Sequence, residues 1–206
     1  EKLGIDADAT VIAVLPGSRV AEIERLAEPF IRAVGKLAST REKLASTREK
    51  LASTREKLVL VAPMVNQRIR DCFAEKQQSL SAGLDWRLID GQAGLAMEAA
   101  DLVLTASGTA SLQALLYKRP MVVGYKLNPV TYHLLTFFRR IKVPYVAMAN
   151  LLADEMLALE YIQEECTPDN LAMGMENLLT DPVRSSEVTR RYMEIHKQLQ
   201  RDAAIR

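Results

Sequence analysis

Short runs rich in Val, Ile and Leu alternate with amphipathic stretches along most of this chain, and that rhythm leaves few folds open. Strands are predicted at 10–15, 58–62, 86–89, 102–104 and 121–125. They carry few polar breaks, as parallel strands covered on both faces should. Helical patterns fall between them near 20–37, 66–78, 95–100 and 109–117. Strand–helix alternation of this kind predicts an α/β fold, a Rossmann-like doubly wound parallel sheet. Ligands of such sheets bind outside the carboxyl ends of the strands.

The pattern changes after Tyr125. A segment at 129–142 mixes aromatic and basic residues, and Pro144 breaks it. Carboxyl-terminal helices are predicted near 155–165, 168–179 and 182–200. Pro168 and Pro182 sit at the starts of the last two, where a missing N–H costs little, and Thr167 is placed to cap the first of that pair. The predicted organisation is an α/β domain over 1–150 and helices over 151–206 that pack on or beyond it.

Residues 36–56 are three perfect copies of Lys-Leu-Ala-Ser-Thr-Arg-Glu, and Lys57-Leu58 begins a fourth. Perfect identity marks a recent duplication or an engineered one. One Leu per heptad is too few for a coiled-coil seam, so the region 36–57 is read as an insertion between a helix and a strand. Two extra heptads add about 21 Å of helix, yet the strand at Leu58 must still reach the sheet. A helix prolonged by some turns, then a poorly ordered return, is the expected outcome. Each copy carries a net charge of +1, so without two of them the overall +1 becomes −1. Charge therefore names no partner and gives no reason to expect nucleic acid.

The remaining bulk features exclude more than they indicate. Hydrophobic residues make up 49% of 206, enough for a core and against global disorder. Cys72 and Cys166 fit a reducing compartment and a structural role, and His133 and His196 lack metal-ligand spacing. No apolar run reaches the length of a membrane span. No signal peptide is visible, the start at Glu1 without Met suggests a fragment, and the expected compartment is the cytoplasm.

Two loops carry the chemistry. In Leu15-Pro16-Gly17-Ser18-Arg19 a strand ends, a turn follows and a helix begins. Gly17 permits close backbone approach, Ser18 is placed to cap the helix, and Arg19 offers a planar cation to phosphate oxygens. Glu22 either orients Arg19 or sits in the first turn, where the helix dipole favours it. In Thr105-Ala106-Ser107-Gly108-Thr109 a second strand opens into a helix, with Gln113 one turn in. Small residues and unpaired N–H groups there form an anion cradle. Each loop alone reads as a plain turn. Two of them at strand ends of one sheet point to a diphosphate.

These loops occur in order with Pro63-Met64-Val65-Asn66, Lys118-Arg119-Pro120-Met121-Val122-Val123-Gly124-Tyr125, Asn150-Leu151-Leu152-Ala153 and Gln163-Glu164-Glu165-Cys166. The series resembles the lipid A disaccharide synthases over nearly the whole chain. The resemblance implies one half of a GT-B fold, the half that binds the donor. It implies an inverting hexosyltransferase that joins UDP-2,3-diacylglucosamine to 2,3-diacylglucosamine 1-phosphate, giving lipid A disaccharide 1-phosphate and UDP. Ser18, Arg19, Gly91, Ser107, Gly108, Thr109, Gln113 and Asn150 would contact UDP. Arg19 would stabilise the leaving diphosphate, the loop 90–94 would lie near the uracil, and Asn150 would line the cleft between domains. No cofactor and no metal are implied, so Asp6-Ala7-Asp8 is read as a turn. The partners implied are the UDP-sugar lipid donor, the monosaccharide lipid acceptor and an amino-terminal domain that holds the acceptor site and general base. No catalytic base is expected in this chain, which alone should be inactive.

Phe137, Phe138, Arg139, Arg140 and Lys142, with Tyr132, are candidate contacts to the inner-membrane surface where such lipids reside, or else a packed helix with a basic end. Two departures from the family stand out: Gln113 where Glu is usual, and Ala149 where Pro is usual. Gln offers one accepting oxygen and no charge, so donor binding should persist but weaken. Other readings are a UDP-sugar epimerase of related fold and a non-catalytic UDP-binding chain that hosts a helical repeat insertion.

Overall fold

A computed structural model describes residues 3–47, 57–81, 83–106, 108–128 and 145–204. Six parallel strands form one sheet: β1 Thr10–Leu15, β2 Leu58–Met64, β3 Asp85–Asp90, β4 Leu102–Thr105, β5 Met121–Tyr125 and β6 Leu159–Ile162. Their order is β3-β2-β1-β4-β5-β6, the doubly wound arrangement the alternation predicts. All five expected strands are present. The helices are α1 Val20–Thr47, α2 Gln67–Leu80, α3 Ala93–Ala99, α4 Thr109–Leu116, α5 Met148–Ala153, α6 Pro168–Thr180 and α7 Pro182–Ala204.

Strand alternation divides the core between the two faces of the sheet. Ile12, Val14, Leu60 and Leu104 face α1, α2 and α6, meeting Ile23, Phe30, Phe73 and Met175. Val11, Ala13, Val61 and Val103 face α3, α4, α5 and α7, meeting Met97, Leu115, Ala149 and Tyr192. In α1, Ile23, Leu26, Ala27, Phe30, Ile31, Val34, Leu37 and Ala38 are all buried. That spacing is one continuous helical stripe. It outweighs Pro29, which lies inside the helix without an N–H to donate. Trp86 joins the first core edge-on to Phe73, with ring centroids 5.4 Å apart.

The stripe ends at Ala38, but the helix does not. α1 continues to Thr47 with Leu44 exposed, so the repeat prolongs the helix as expected. The return at 48–56 lies outside the described residues. The first copy is integral to the fold: Leu37 is buried, Lys36 pairs with Asp169 at 2.6 Å, and Arg41 pairs with Glu176 at 3.2 Å. Arg41 also donates to Thr10 Oγ1 at 3.2 Å, and Thr10 N–H donates to the Lys57 carbonyl at 2.8 Å. Arg41 in the first copy and Lys57 at the start of β2, which flank the other two copies, therefore meet at one residue, Thr10.

The carboxyl-terminal expectation needs one correction. A helix over 155–165 does not form; its place is taken by β6 and a short 3-10 turn at Gln163–Glu165. β6 pairs with β5, Val122 opposite Leu159 through Tyr125 opposite Ile162. Ladder pairing and alternation decide it, with Leu159 and Tyr161 packed on the first core and Glu160 turned to the other side. α5 runs across residue 150, and β6 is the last strand of the six-stranded sheet. The last two helices follow the reading: Thr167 Oγ1 accepts the Asn170 N–H at 3.2 Å, and Asp181 accepts that of Arg184 at 2.9 Å.

Tyr192 of α7 is fully buried, and its hydroxyl finds no partner among the described residues. Burial pushes its pKa far above the ordinary tyrosine value. The unfolded phenol ionises near pH ~10 whereas the folded one stays neutral, so stability is complete below that pH and falls as pH rises past it. Tyr192→Phe is expected to raise stability by about 1 kcal/mol at neutral pH and to shrink the alkaline loss. Urea unfolding at pH 7 and above pH 10 checks both. Cys166 is likewise core, with burial raising its thiol pKa.

Candidate functional site

Strand order reverses between β1 and β4, and the carboxyl ends of those two strands carry the two loops. Leu15 lies opposite Thr105, and Ala106 N–H donates to the Leu15 carbonyl at 2.9 Å. The loops therefore leave the sheet side by side at its topological switch point, the place where open α/β sheets take ligands.

The first loop is tighter than expected. Ser18 and Arg19 are exposed, and α1 starts at Val20. Ser18 does not cap it. Glu22 does: its Oε2 accepts the N–H groups of Ser18 at 2.8 Å and of Arg19 at 3.1 Å. This is the reciprocal half of a capping box, with Arg19 in the N-cap position and Glu22 three residues on. The N–H groups read as free for an anion are thus engaged. Glu22 Oε1 lies 3.5 Å from the Arg19 guanidinium, whose side chain is 83% exposed. Both sequence readings of Glu22 hold at once, since it orients Arg19 and sits in the first turn. Gly17 makes this possible: at φ +130° it accepts a backbone few L residues adopt, and a Cβ there would lie 2.5 Å from Glu22.

The second loop is open. Gly108, at φ +105° and ψ −147°, occupies the N-cap of α4, and no side-chain cap is found there among the described residues. The Ser111 N–H is taken by the Gly108 carbonyl at 3.1 Å, which leaves those of Thr109 and Ala110, the first two of the helix, without an intrahelical acceptor. Ser111 braces the turn from inside, donating to the Gly108 carbonyl at 2.7 Å and accepting the Met148 N–H at 3.1 Å. Sequence reasoning missed this residue; a Ser three positions after the turn glycine is its only signal. Thr109 and Gln113 are exposed on α4. Ser107 lies outside the described residues, as do Phe137, Phe138, Arg139, Arg140 and Lys142.

Gly91 follows β3 on the same edge, at φ +63° with its N–H donated to the Met64 carbonyl at 2.7 Å. It stands two strands from β1, about 10 Å across the sheet, so it is near the switch point but not at it. Asn150 lies inside the fold. Its side chain is fully buried, its amide donates to the Ala158 carbonyl at 2.8 Å and to Glu160 at 2.7 Å, and its oxygen accepts the N–H groups of Leu157 and Ala158. No polar atom of Asn150 is left for a ligand in this arrangement. It is a pin that holds α5 to β6.

A cavity of about 430 Å³ opens at the opposite edge of the sheet, between the start of β1 and α3. Asp6, Glu98 and Asp101 line it. An acidic wall disfavours a diphosphate, and the cavity sits at the amino ends of the strands, away from both loops. Asp6 there is held by Lys57 at 2.7 Å, which keeps its carboxyl below the usual range.

Comparison with solved structures places this architecture in a class. A glycosyltransferase involved in lipopolysaccharide biosynthesis, WaaG, superimposes with a TM-score of 0.60 at 16% identity, over 93% of this chain and 43% of that one. A UDP-GlcNAc 2-epimerase from Neisseria meningitidis gives 0.53 at 15% identity, over 96% and 46%. The fold is that of one Rossmann-like half of a GT-B glycosyltransferase, a fold that epimerases share. Sequence comparison goes further: the family model described as lipid-A-disaccharide synthetase matches residues 1–205. Lipid-A-disaccharide synthases of Haemophilus ducreyi and Alkalilimnicola ehrlichii are 40% and 42% identical over 98% and 93% of the chain. The chain belongs to the lipid-A-disaccharide synthase family of glycosyltransferases. It spans about half the length of these relatives, 48% and 46%.

Proposed function

We propose that this chain is the donor-binding half of an enzyme that transfers 2,3-diacylglucosamine from UDP to 2,3-diacylglucosamine 1-phosphate. The products are lipid A disaccharide 1-phosphate and UDP. The observation that carries the reading is the pair of loops at the β1/β4 switch point, one presenting an exposed Arg19 and the other an uncapped helix start behind Gly108. A diphosphate bridging them meets a guanidinium on one side and α4 N–H groups with the positive end of the helix dipole on the other. Charge grows on the diphosphate as the glycosidic bond breaks, so these donors stabilise the transition state more than the ground state. Gln113, exposed one turn into α4, accepts a ribose hydroxyl, and Gly91 leaves room toward the base. The acceptor site and general base are assigned to the part of the relatives that this chain does not span, so it binds donor without turning it over.

The epimerase reading loses ground to the family match. No described helix is long and apolar enough to cross a membrane, and the segment containing Phe137, Phe138, Arg139, Arg140 and Lys142 is the proposed contact with the bilayer that holds both lipids. Calorimetric titration with UDP tests the donor reading. Arg19→Ala is expected to weaken UDP about tenfold, the loss of one exposed charge-assisted contact. Gln113→Glu is expected to strengthen it several-fold by supplying a charged acceptor. Unchanged affinity in Arg19→Ala would remove the guanidinium from the site.

A further inference from the structure

The two helix starts at the switch point are built alike but finished differently. α4 begins behind Gly108 with no side-chain cap. α1 begins with an anion already in place, because one oxygen of Glu22 takes the successive N–H groups of Ser18 and Arg19 at 2.8 and 3.1 Å. That is how a phosphate oxygen sits in a nest of backbone N–H groups. The other oxygen faces Arg19 at 3.5 Å, and the Glu22 side chain is 26% exposed against 83% for Arg19. Gly17, with its φ of +130°, lets the carboxylate lie flat on the loop, since a Cβ there would overlap Glu22 at 2.5 Å.

Resting on the donor-site reading, we infer that Glu22 is a resident anion that closes the first loop to phosphate and makes the site discriminate diphosphates from monophosphates. With Glu22 in place the first loop offers one contact, the outward guanidinium of Arg19, and not its backbone. A ligand must then reach from Arg19 to the start of α4 to gain both. On this inference the two phosphoryl groups of a diphosphate engage one contact each, and a single phosphoryl group engages only one of them. Like-charge repulsion from Glu22 further penalises a phosphate that settles against the first loop alone. Without the carboxylate, the Ser18 and Arg19 N–H groups become a second independent subsite, and a monophosphate gains most.

The test compares UMP and UDP by calorimetry on the full 206-residue chain, for wild type, Glu22→Ala and Glu22→Gln. Glu22→Ala is expected to bind UMP at least threefold more tightly than wild type and to narrow the UDP-over-UMP preference. Glu22→Gln, which keeps an acceptor for the loop but loses the charge, should move UMP affinity the same way by less. It also carries the test if the alanine variant does not fold. A role confined to capping the helix would lower the melting temperature and leave UMP affinity where it was. UMP binding that is unchanged or weaker in the folded variants overturns the inference. If wild type binds UDP and only the variants fail to gain UMP, the inference alone falls; if wild type binds neither nucleotide at millimolar concentration, the donor site falls and the inference with it.

Discussion

A chain stripped of all three heptads will not reach the folded state, whereas chains with one or two copies will melt at or above the temperature of the 206-residue protein. Because the copies are identical, each shortened chain is the same whichever copy is removed. The first remaining copy always supplies Leu37, Ala38 and Arg41 to the core, and Lys57-Leu58 always enters β2. Thr10 receives Arg41 on its hydroxyl and gives its N–H to Lys57, so the residues on either side of the surplus copies meet at one point. Removing 14 residues there shortens a closed loop, which costs only about 0.6 kcal/mol per doubling of length. Removing the last copy is different in kind. Leu37 at 1% exposure vanishes from the first core, and a buried Leu is worth about 3–5 kcal/mol. Glu176 and Thr10 lose Arg41, and seven residues of helix, about 10 Å, are gone. These losses rival the whole stability of a domain. Urea unfolding of the four-member series checks it. A folded chain without copies would contradict the integral role of residues 36–42, and unfolding on removal of the first copy would contradict the assignment of 43–56 as surplus.

Asn150→Ala is expected to destabilise the chain by about 3–5 kcal/mol, the scale for leaving several buried backbone groups unsatisfied. The network is compact. Glu160 accepts the N–H groups of Val146 and Ala147 at 2.9 and 2.8 Å and the Asn150 amide at 2.7 Å, so a carboxylate in β6 caps α5 from outside. Asn150 in turn satisfies the Leu157 and Ala158 N–H groups and the Ala158 carbonyl. Truncation orphans three backbone groups and removes one donor from Glu160. UDP affinity of the fraction that remains folded should not change. Denaturant titration together with UDP calorimetry separates this pin from the ligand contact that the family resemblance implies; a large loss of UDP affinity at unchanged stability would restore the ligand role.

The contrast between Asn150 and the loops shows where sequence reasoning had purchase. Parallel strands covered on both faces are continuous apolar runs, so β1, β2, β4 and β5 were legible, and the two loops followed as strand-to-helix junctions. β6 was not. Leu159-Glu160-Tyr161-Ile162 is only four residues long, carries a Glu and is followed by Gln163-Glu164-Glu165, which reads as helix. Pairing with β5 and the capping work of Glu160 override that local preference, and neither is visible from the residues nearby. The buried bonding of Asn150 is hidden from the sequence for the same reason, since its partner Glu160 lies in a strand whose residues read locally as helix. At the first loop the sequence points to Ser18 as the cap, whereas Glu22 accepts the N–H groups of Ser18 and Arg19. Helix start at Val20 decides it, because only Glu22 then sits at the third helical position.

The location of the donor is the central claim, and amide chemical shifts of the labelled chain titrated with UDP test it most directly. Shifts are predicted to concentrate at Arg19, Gly108, Thr109 and Ala110, with smaller ones at Gly91 and Gln113, and to leave Asp6, Glu98 and Asp101 unmoved. Shifts confined to that acidic opposite edge, or none at millimolar UDP, would contradict a donor site at the β1/β4 switch point.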